Sequence, residues 1–420
     1  MNNELLIWEK ISFYICCFLS MLVPIPLFFD GLTGGLVLQK ASFPVINQFP
    51  IPVGLLAFVL IFLIFYLNAL LFKNDYKFLI EDKRNRKLLF FISFFILFWA
   101  VFMANNEFFR VVQLVLPPFL LLLVAFPVHK GRVGKIVYFY LISFFVFNAT
   151  HLTYIYLNNE IFNVTEFDYA LYWGYGIYQA FVSYPGVLGL FFALVSFLFF
   201  IEKNLLLKFL LLSFWFVLIV SLGLAARRIS LFEMMVTVFM ILIFIVLSII
   251  LRKGVVGRNY FLSFIFYLAS FLFVFLFYFK MPIFSRAVDS AKTNSFDSGR
   301  FDIYHKAIDF LSSDYYFLIF GYGGKSGFHN YFLDIIFSVG LFPFLISIFI
   351  LVFFFKRGSS FSIANINFYL FLAVIGCFLL QSMLNASITQ PLYLCNFIMI
   401  ILVVIFYTDF DKKLNSGLAQ

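Results

Sequence analysis

Charge is scarce in this chain. Only 12% of its 420 residues are Asp, Glu, Lys or Arg, against 64% hydrophobic and 23% aromatic, and the mean hydropathy is +1.05. That balance excludes an ordinary soluble globular protein. Cysteine is nearly as rare: Cys16, Cys17, Cys377 and Cys395 all lie in apolar runs, which excludes a disulfide framework and a cysteine metal site. His129, His151 and His305 are too scattered for a metal site. No outward-facing Asp-x-Asp or His-x-x-x-His pair is expected, so any chemistry should need neither metal nor other cofactor. The net charge of +9 is spread over short loops. Topology explains it better than nucleic acid, which is not expected as a partner. There is no tandem repeat, and the only low-complexity feature is enrichment in Phe, Leu and Ile.

What is abundant is apolar sequence in runs of roughly 20 residues, the length that crosses a hydrocarbon core of about 30 Å. Such runs fall near 11–29, 51–72, 88–103, 111–128, 136–157, 184–201, 209–226, 229–251, 259–279, 329–355, 368–384 and 392–408. They predict an all-α, polytopic transmembrane protein of about twelve spans, with residues 1–420 forming a single integral membrane domain. The first run lacks a small-residue cleavage site after it and is expected to be retained. The basic segments "KNDYKFLIEDKRNRK", "HKGRVGK", "EKNLLLK", "RKGVVGR" and "KRGSS" and the tail "DFDKK" then fall on one side. The positive-inside rule makes that side the cytoplasm and places both termini there.

The stretch Phe209 to Leu251 tests this register. As one helix, at about 1.5 Å per residue, it would be roughly twice the core thickness, so the chain must cross twice. Both its ends are basic, at Lys208 and at Arg252 and Lys253, so the intervening Arg227 and Arg228 are expected at the outer surface. Two sizeable outer loops follow from the same register. Residues 158–185 form an aromatic, acidic loop without Lys or Arg, and residues 280–328 carry Lys280, Arg286, Lys292, Arg300, Lys306 and Lys325. Within the second, "FDSGRFDIYHKAIDFLSS" reads as an amphipathic helix capped at Asp297 or Ser298. Phe301, Tyr304, Ile308 and Leu311 make its apolar stripe, and Asp302, His305, Lys306 and Asp309 its polar face. Such a helix should lie on the outer membrane surface, with Arg300 in its first turn near the headgroups.

Several residues are candidates for chemistry. Arg227 and Arg228 can be read as interfacial side chains snorkelling outwards, one of them neutralised by Glu233. Their functional reading is stronger, because paired guanidinium forks at a membrane boundary match phosphate oxygens bidentately. Arg300 by itself is a weak signal and reads first as a surface ion pair with Asp297 or the headgroups. His329 is either a helix-start residue beside the cap Asn330 or a general base at a water-exposed helix mouth. Asn330 and Asp334 share a face one turn apart. The segment "GYGGKS" imitates a phosphate loop, but the spacing puts Ile319 where the first glycine belongs. Gly321, Gly323 and Gly324 are read instead as a turn that lets the backbone approach a site closely. The Asn-x-Ser/Thr matches at Asn148, Asn163 and Asn385 carry no assigned role.

In order, "LAARRISLFEMM", then "SGRFDIYHKAIDFLSSDYYFLIFGYG", then "HNYFLDIIFSVGLFPFLI" resemble the superfamily of bacterial O-antigen polymerases and O-antigen ligases. The resemblance covers about Leu222 to Ile350 in motif form and the remainder in span number and hydropathy. It implies a fold like that of the large polytopic (GT-C) glycosyltransferases, in the bacterial inner membrane, with the active site facing the periplasm. It implies transfer of an undecaprenyl-diphosphate-linked oligosaccharide donor onto an acceptor, with arginines matching Arg227 or Arg228 and Arg300 holding the diphosphate. His329 then matches the histidine that activates the acceptor hydroxyl. Tyr304, Asn330, Asp334, Gly321 and Gly323 are taken as supporting residues. A chain-length regulator is a further candidate partner beside the lipid bilayer. Polymerase and ligase differ in acceptor, a second lipid-linked repeat unit or lipid A–core, and the Phe-rich composition favours the polymerase. A transporter or flippase should carry its charges at the bilayer midplane, whereas this chain puts them at the rim.

The register is open to test. Cysteines placed at Lys292 and Lys325 are expected to react with a membrane-impermeant thiol reagent in whole cells, while cysteines at Lys83 and Lys253 stay unlabelled. Labelling of the second pair overturns the orientation.

Overall fold

The computed structural model describes residues 3–24, 43–44, 50–51, 53–72, 75–78, 82–103, 127–129, 133–157, 178–202, 204–224, 228–251, parts of 264–272, 300–322, parts of 330–349, 366–384 and 395–401. Nearly all of them are helical, as the composition predicts. The helices are α1 (Asn3–Leu22), α2 (Val53–Leu71), α3 (Lys83–Met103), α4 (Val133–Leu157), α5 (Tyr178–Ile201), α6 (Leu205–Leu224) and α7 (Arg228–Leu251), followed by α8 (Arg300–Ser313), α9 (Tyr315–Phe320), α10 (Tyr331–Val339) and α11 (Ile366–Leu384). Two small antiparallel ribbons join them: β1 (Phe43–Pro44) with β2 (Pro50–Ile51), and β3 (Tyr76–Phe78) with β4 (Pro127–His129). The second ribbon sets Tyr76 opposite His129, so two of the basic connections meet at one end of the molecule.

Helix α5 explains the packing. Its sequence is apolar on every side, and a helix of that kind has no face to give to water. From Val187 to Phe200 every side chain is buried. Helices α6, α7 and α11 pack around it, and α7 and α11 also pack on each other. Phe144 of α4 stacks on Phe191 with ring centroids 3.5 Å apart, and Phe192 stacks on Trp215 of α6. Helices α1, α2 and α4 form a second group, since α1 packs on both α2 and α4.

The outward faces are greasy. Leu205 is 84% exposed, and Leu206, Phe209 and Leu210 follow it on α6. On α3 the exposed Leu88, Phe91, Phe94, Phe95 and Phe98 make a similar face. By length and composition together, Leu205–Leu222 is the one helix among the described residues fit to cross a membrane, with a mean hydropathy of 2.5. Leu56–Leu71, Lys135–Thr150, Val187–Phe200, Phe232–Leu247 and Phe368–Gln381 are shorter apolar stretches.

The structure departs from the expected boundaries in three places. Helix α1 starts at Asn3 and ends at Leu22, so Glu9 and Lys10 lie inside it, and Glu9 is buried. Residues 178–185, expected in the aromatic loop, already belong to α5. The run 329–355 is not one helix: α10 stops at Gly340, and helical residues resume at 341. Gly340 has φ +91° and ψ 172°, a conformation open only to glycine, and a Cβ there would overlap the Ile319 carbonyl. The end of α9 thus packs backbone to backbone on the end of α10, and the Tyr322 N–H donates to the Phe337 carbonyl at 2.6 Å.

Gly340→Ala is therefore expected to destabilise the protein by about 1–3 kcal/mol, seen as a lower apparent melting temperature in detergent. An unchanged melting temperature shows that the α9 and α10 contact can rearrange freely.

Candidate functional site

The start of α7 was expected at a membrane boundary with two arginines. Arg228 is its first residue, while Arg227 lies outside the described residues, as do Gly323 and His329. The positions of Arg228 and Arg300 are described, as the first residues of α7 and α8, but their side chains are not. What the structure supplies is the framework that carries these positions.

One and a half turns into α7, Glu233 is fully buried. Its carboxyl turns towards α11, where Gln381 Nε2 donates to Oε1 at 3.0 Å. Its Oε2 has no hydrogen-bond partner among the described residues and rests against Gly189 of α5, where a Cβ would overlap the carboxyl. The backbone of Glu233 is held as well: Thr237 Oγ1 donates to its carbonyl at 2.9 Å, and Cys377 Sγ at 3.9 Å. The arginine side chains that Glu233 was expected to neutralise lie outside the described residues. Among the described residues the side-chain partner of Glu233 is Gln381, and the space next to it belongs to α5.

Two residues beyond Gln381, in the last turn of α11, the Met383 carbonyl accepts a hydrogen bond from Tyr304 Oη at 3.2 Å. Tyr304 stands one turn after Arg300 on α8. The last turn of α11 therefore holds α7 on one side and α8 on the other, and the starts of the two arginine-bearing helices come to the same end of the bundle. Sequence reasoning named Tyr304 but missed Gln381 and Gly189. The signal was there, a lone amide in "FLLQSML" and a glycine in "GVLGLFF", each odd within an apolar run.

On α8 the exposed polar face is as expected, with Asp302, His305, Lys306 and Asp309 outward. The apolar stripe needs revision. Ala307 and Leu311 are buried, whereas Ile308 is 52% exposed. Phe310, outside the expected stripe, stacks on Phe317 and meets Tyr322 and Phe337. The side chain of Phe301 and the expected caps Asp297 and Ser298 lie outside the described residues.

Helix α9 was not foreseen. Asp314 caps it, accepting from the Tyr316 N–H, and Gly321 ends it at φ +81°, its N–H donating to the Phe317 carbonyl. Asn330 caps α10 as expected, its Oδ1 accepting from the N–H groups of Phe332 and Leu333 at 3.0 and 3.2 Å. Asp334 lies one turn on, its N–H bonded to the Asn330 carbonyl at 2.8 Å. Asn148, one of the Asn-x-Thr matches, is fully buried and accepts from Ser221 Oγ at 3.0 Å, so it ties α4 to α6. Among the described residues no three His, Cys, Asp or Glu come together as a metal site.

No family model matches this chain, and neither does any curated protein or solved structure.

The cap at Asn330 carries its own prediction. Asn330→Ala is expected to cost about 1 kcal/mol, and Asn330→Asp little, read as apparent melting temperatures. An Asp variant as unstable as the Ala variant removes capping as the role of this side chain.

Proposed function

We propose that this chain is a bacterial inner-membrane glycosyltransferase that polymerises a surface polysaccharide such as O-antigen. About twelve spans hold it in the bilayer with both termini cytoplasmic, and it transfers an undecaprenyl-diphosphate-linked glycan onto a second lipid-linked repeat unit at the periplasmic face. The observation that carries this reading is the shared anchorage of α7 and α8 on the last turn of α11, through Gln381 and Tyr304. The starts of two helices that begin with arginine come to one end of the bundle, which favours a shared grip on a diphosphate. The exposed Leu and Phe faces of α3 and α6 favour a lipid surrounding. The order of motifs around Arg227, Arg300 and His329 favours this family's chemistry.

The proposed reaction runs as follows. The acceptor hydroxyl oxygen attacks the anomeric carbon of the donor, and its proton passes to His329. The bond from that carbon to the diphosphate oxygen breaks, and undecaprenyl diphosphate leaves with the electron pair. Attack opposite the leaving group inverts the anomeric centre. Arg300 with Arg227 or Arg228 meets the negative charge that grows on the diphosphate, which is where preorganised cations lower the barrier most.

Arg227→Lys and Arg300→Lys are expected to abolish or severely reduce long-chain polysaccharide in cells that still express the protein, since a point charge lacks the fork. Arg228→Lys should be milder, and the reverse ranking swaps the two. His329→Ala should lower transfer by about a hundred- to ten-thousand-fold with donor binding intact, in a purified assay with chelator present. Near-normal chain ladders in both Lys variants, or transfer by His329→Ala within a few-fold of wild type, sinks the assignment. A strict need for lipid A–core makes the protein a ligase.

A further inference from the structure

We propose that Glu233, clasped by Gln381 and seated against Gly189, is a positioning residue that fixes the arginine-bearing start of α7 relative to α8. The inference rests on the proposed function, because the arginines matter only if they grip an anion.

The geometry leaves α7 little freedom at this point. Arg228 precedes Glu233 by five residues, about 7.5 Å along a helix axis. At Glu233 three helices are held at once. The carboxyl reaches α11 through Gln381. It fills the place where a side chain on α5 would stand, since any Cβ at 189 overlaps it. The Glu233 carbonyl also accepts from Cys377 of α11 and from Thr237 of its own helix. A turn further along, a Cβ on Gly376 would lie 2.9 Å from Val236, so α7 and α11 are close at that level too. Rotating α7 about its axis would pull the carboxyl away from Gln381 and push it into apolar wall, which is costly. Sliding it would drive the carboxyl into the α5 backbone.

The same turn of α11 then passes this constraint to α8. Met383 stands two residues after Gln381, and its carbonyl takes the Tyr304 hydroxyl. The line from Arg228 to Arg300 therefore runs through Glu233, Gln381, Met383 and Tyr304. Two cations that must meet the oxygens of one diphosphate need their spacing held, and an error of about 1 Å costs on the order of a hundred-fold in rate.

The experiment separates position from chemistry. Spin labels are placed on cysteines introduced at the exposed Met235 of α7 and Lys306 of α8; the four native cysteines are buried and will not compete. Wild type is expected to give a narrow distance distribution by pulsed electron resonance. Glu233→Ala should broaden or shift it, lower transfer about a hundred-fold per folded molecule and raise the donor KM. Glu233→Gln keeps the shape and the acceptor for Gln381, and should rescue both distance and transfer. If Glu233→Ala does not fold, Gly189→Ala, which displaces the carboxyl while keeping the acid, is expected to broaden the distance in the same way. A narrow, unshifted distance in folded Glu233→Ala overturns the proposal. So does a Gln variant as impaired as the Ala variant, since the acid itself would then be required. If wild type transfers no glycan while the distances behave as expected, the proposed function fails and the clasp stands.

Discussion

A fully buried carboxyl must be held by a neighbouring helix, and Glu233 is held by two. Its contacts with Gln381 and with the bare backbone of Gly189 lock α5, α7 and α11 at one level. Between helices that are apolar on every side, hydrophobic burial alone does not choose one register over another, because any apolar face can be covered by any other. Close approach and hydrogen bonds choose it. Among the described residues the hydrogen bonds include Trp8 and Ser12 to Asn68, Ser20 and Ser143 between α1 and α4, Asn148 to Ser221, Tyr140 to Asn396 and Ser196 to Tyr267. Each joins helices far apart in sequence, so each fixes a packing that leucine and phenylalanine alone would leave loose.

Helix α5 makes this arrangement possible. It is apolar enough to be wrapped on all sides, and it carries a glycine where α7 brings in its acid. Larger side chains do the filling elsewhere along it, as in the stacking of Phe191 with Phe144. One helix therefore serves as both wall and gap.

Much of the helical framework was legible in the amino-acid sequence, because hydropathy reports length and placement directly. Runs such as 53–71, 205–224 and 366–384 became helices within a few residues of where they were expected. The break at Gly340 was not legible. "SVGLF" looks like continuous span, and only contact with the Ile319 carbonyl shows why a glycine must stand there. Helix α9 was hidden for the same reason: "YYFLIF" has the hydropathy of a span and the length of a turn and a half, and its limits come from Asp314 and Gly321. Within the candidate site, the cap at Asn330 was readable from residue type. The partner of Glu233 was not, since Gln381 lies 148 positions away.

The elements at the candidate site obey different rules from the bundle they sit on. A helix leaves about four N–H and four C=O groups unpaired at its ends whatever its length, so α9 and α10, being short, spend most of their backbone on ends. Their stability has to come from capping side chains, from glycine stops and from the aromatic cluster of Phe310, Phe317, Tyr322 and Phe337. Such a unit, with much of α8 and α9 exposed, belongs to the low end of local stability within a fold. The bundle beneath it, by contrast, is locked by the Glu233 clasp. Where α8 meets that bundle, the hydrogen bond from Tyr304 to the Met383 carbonyl sets the start of α8 against the same turn of α11 that clasps Glu233.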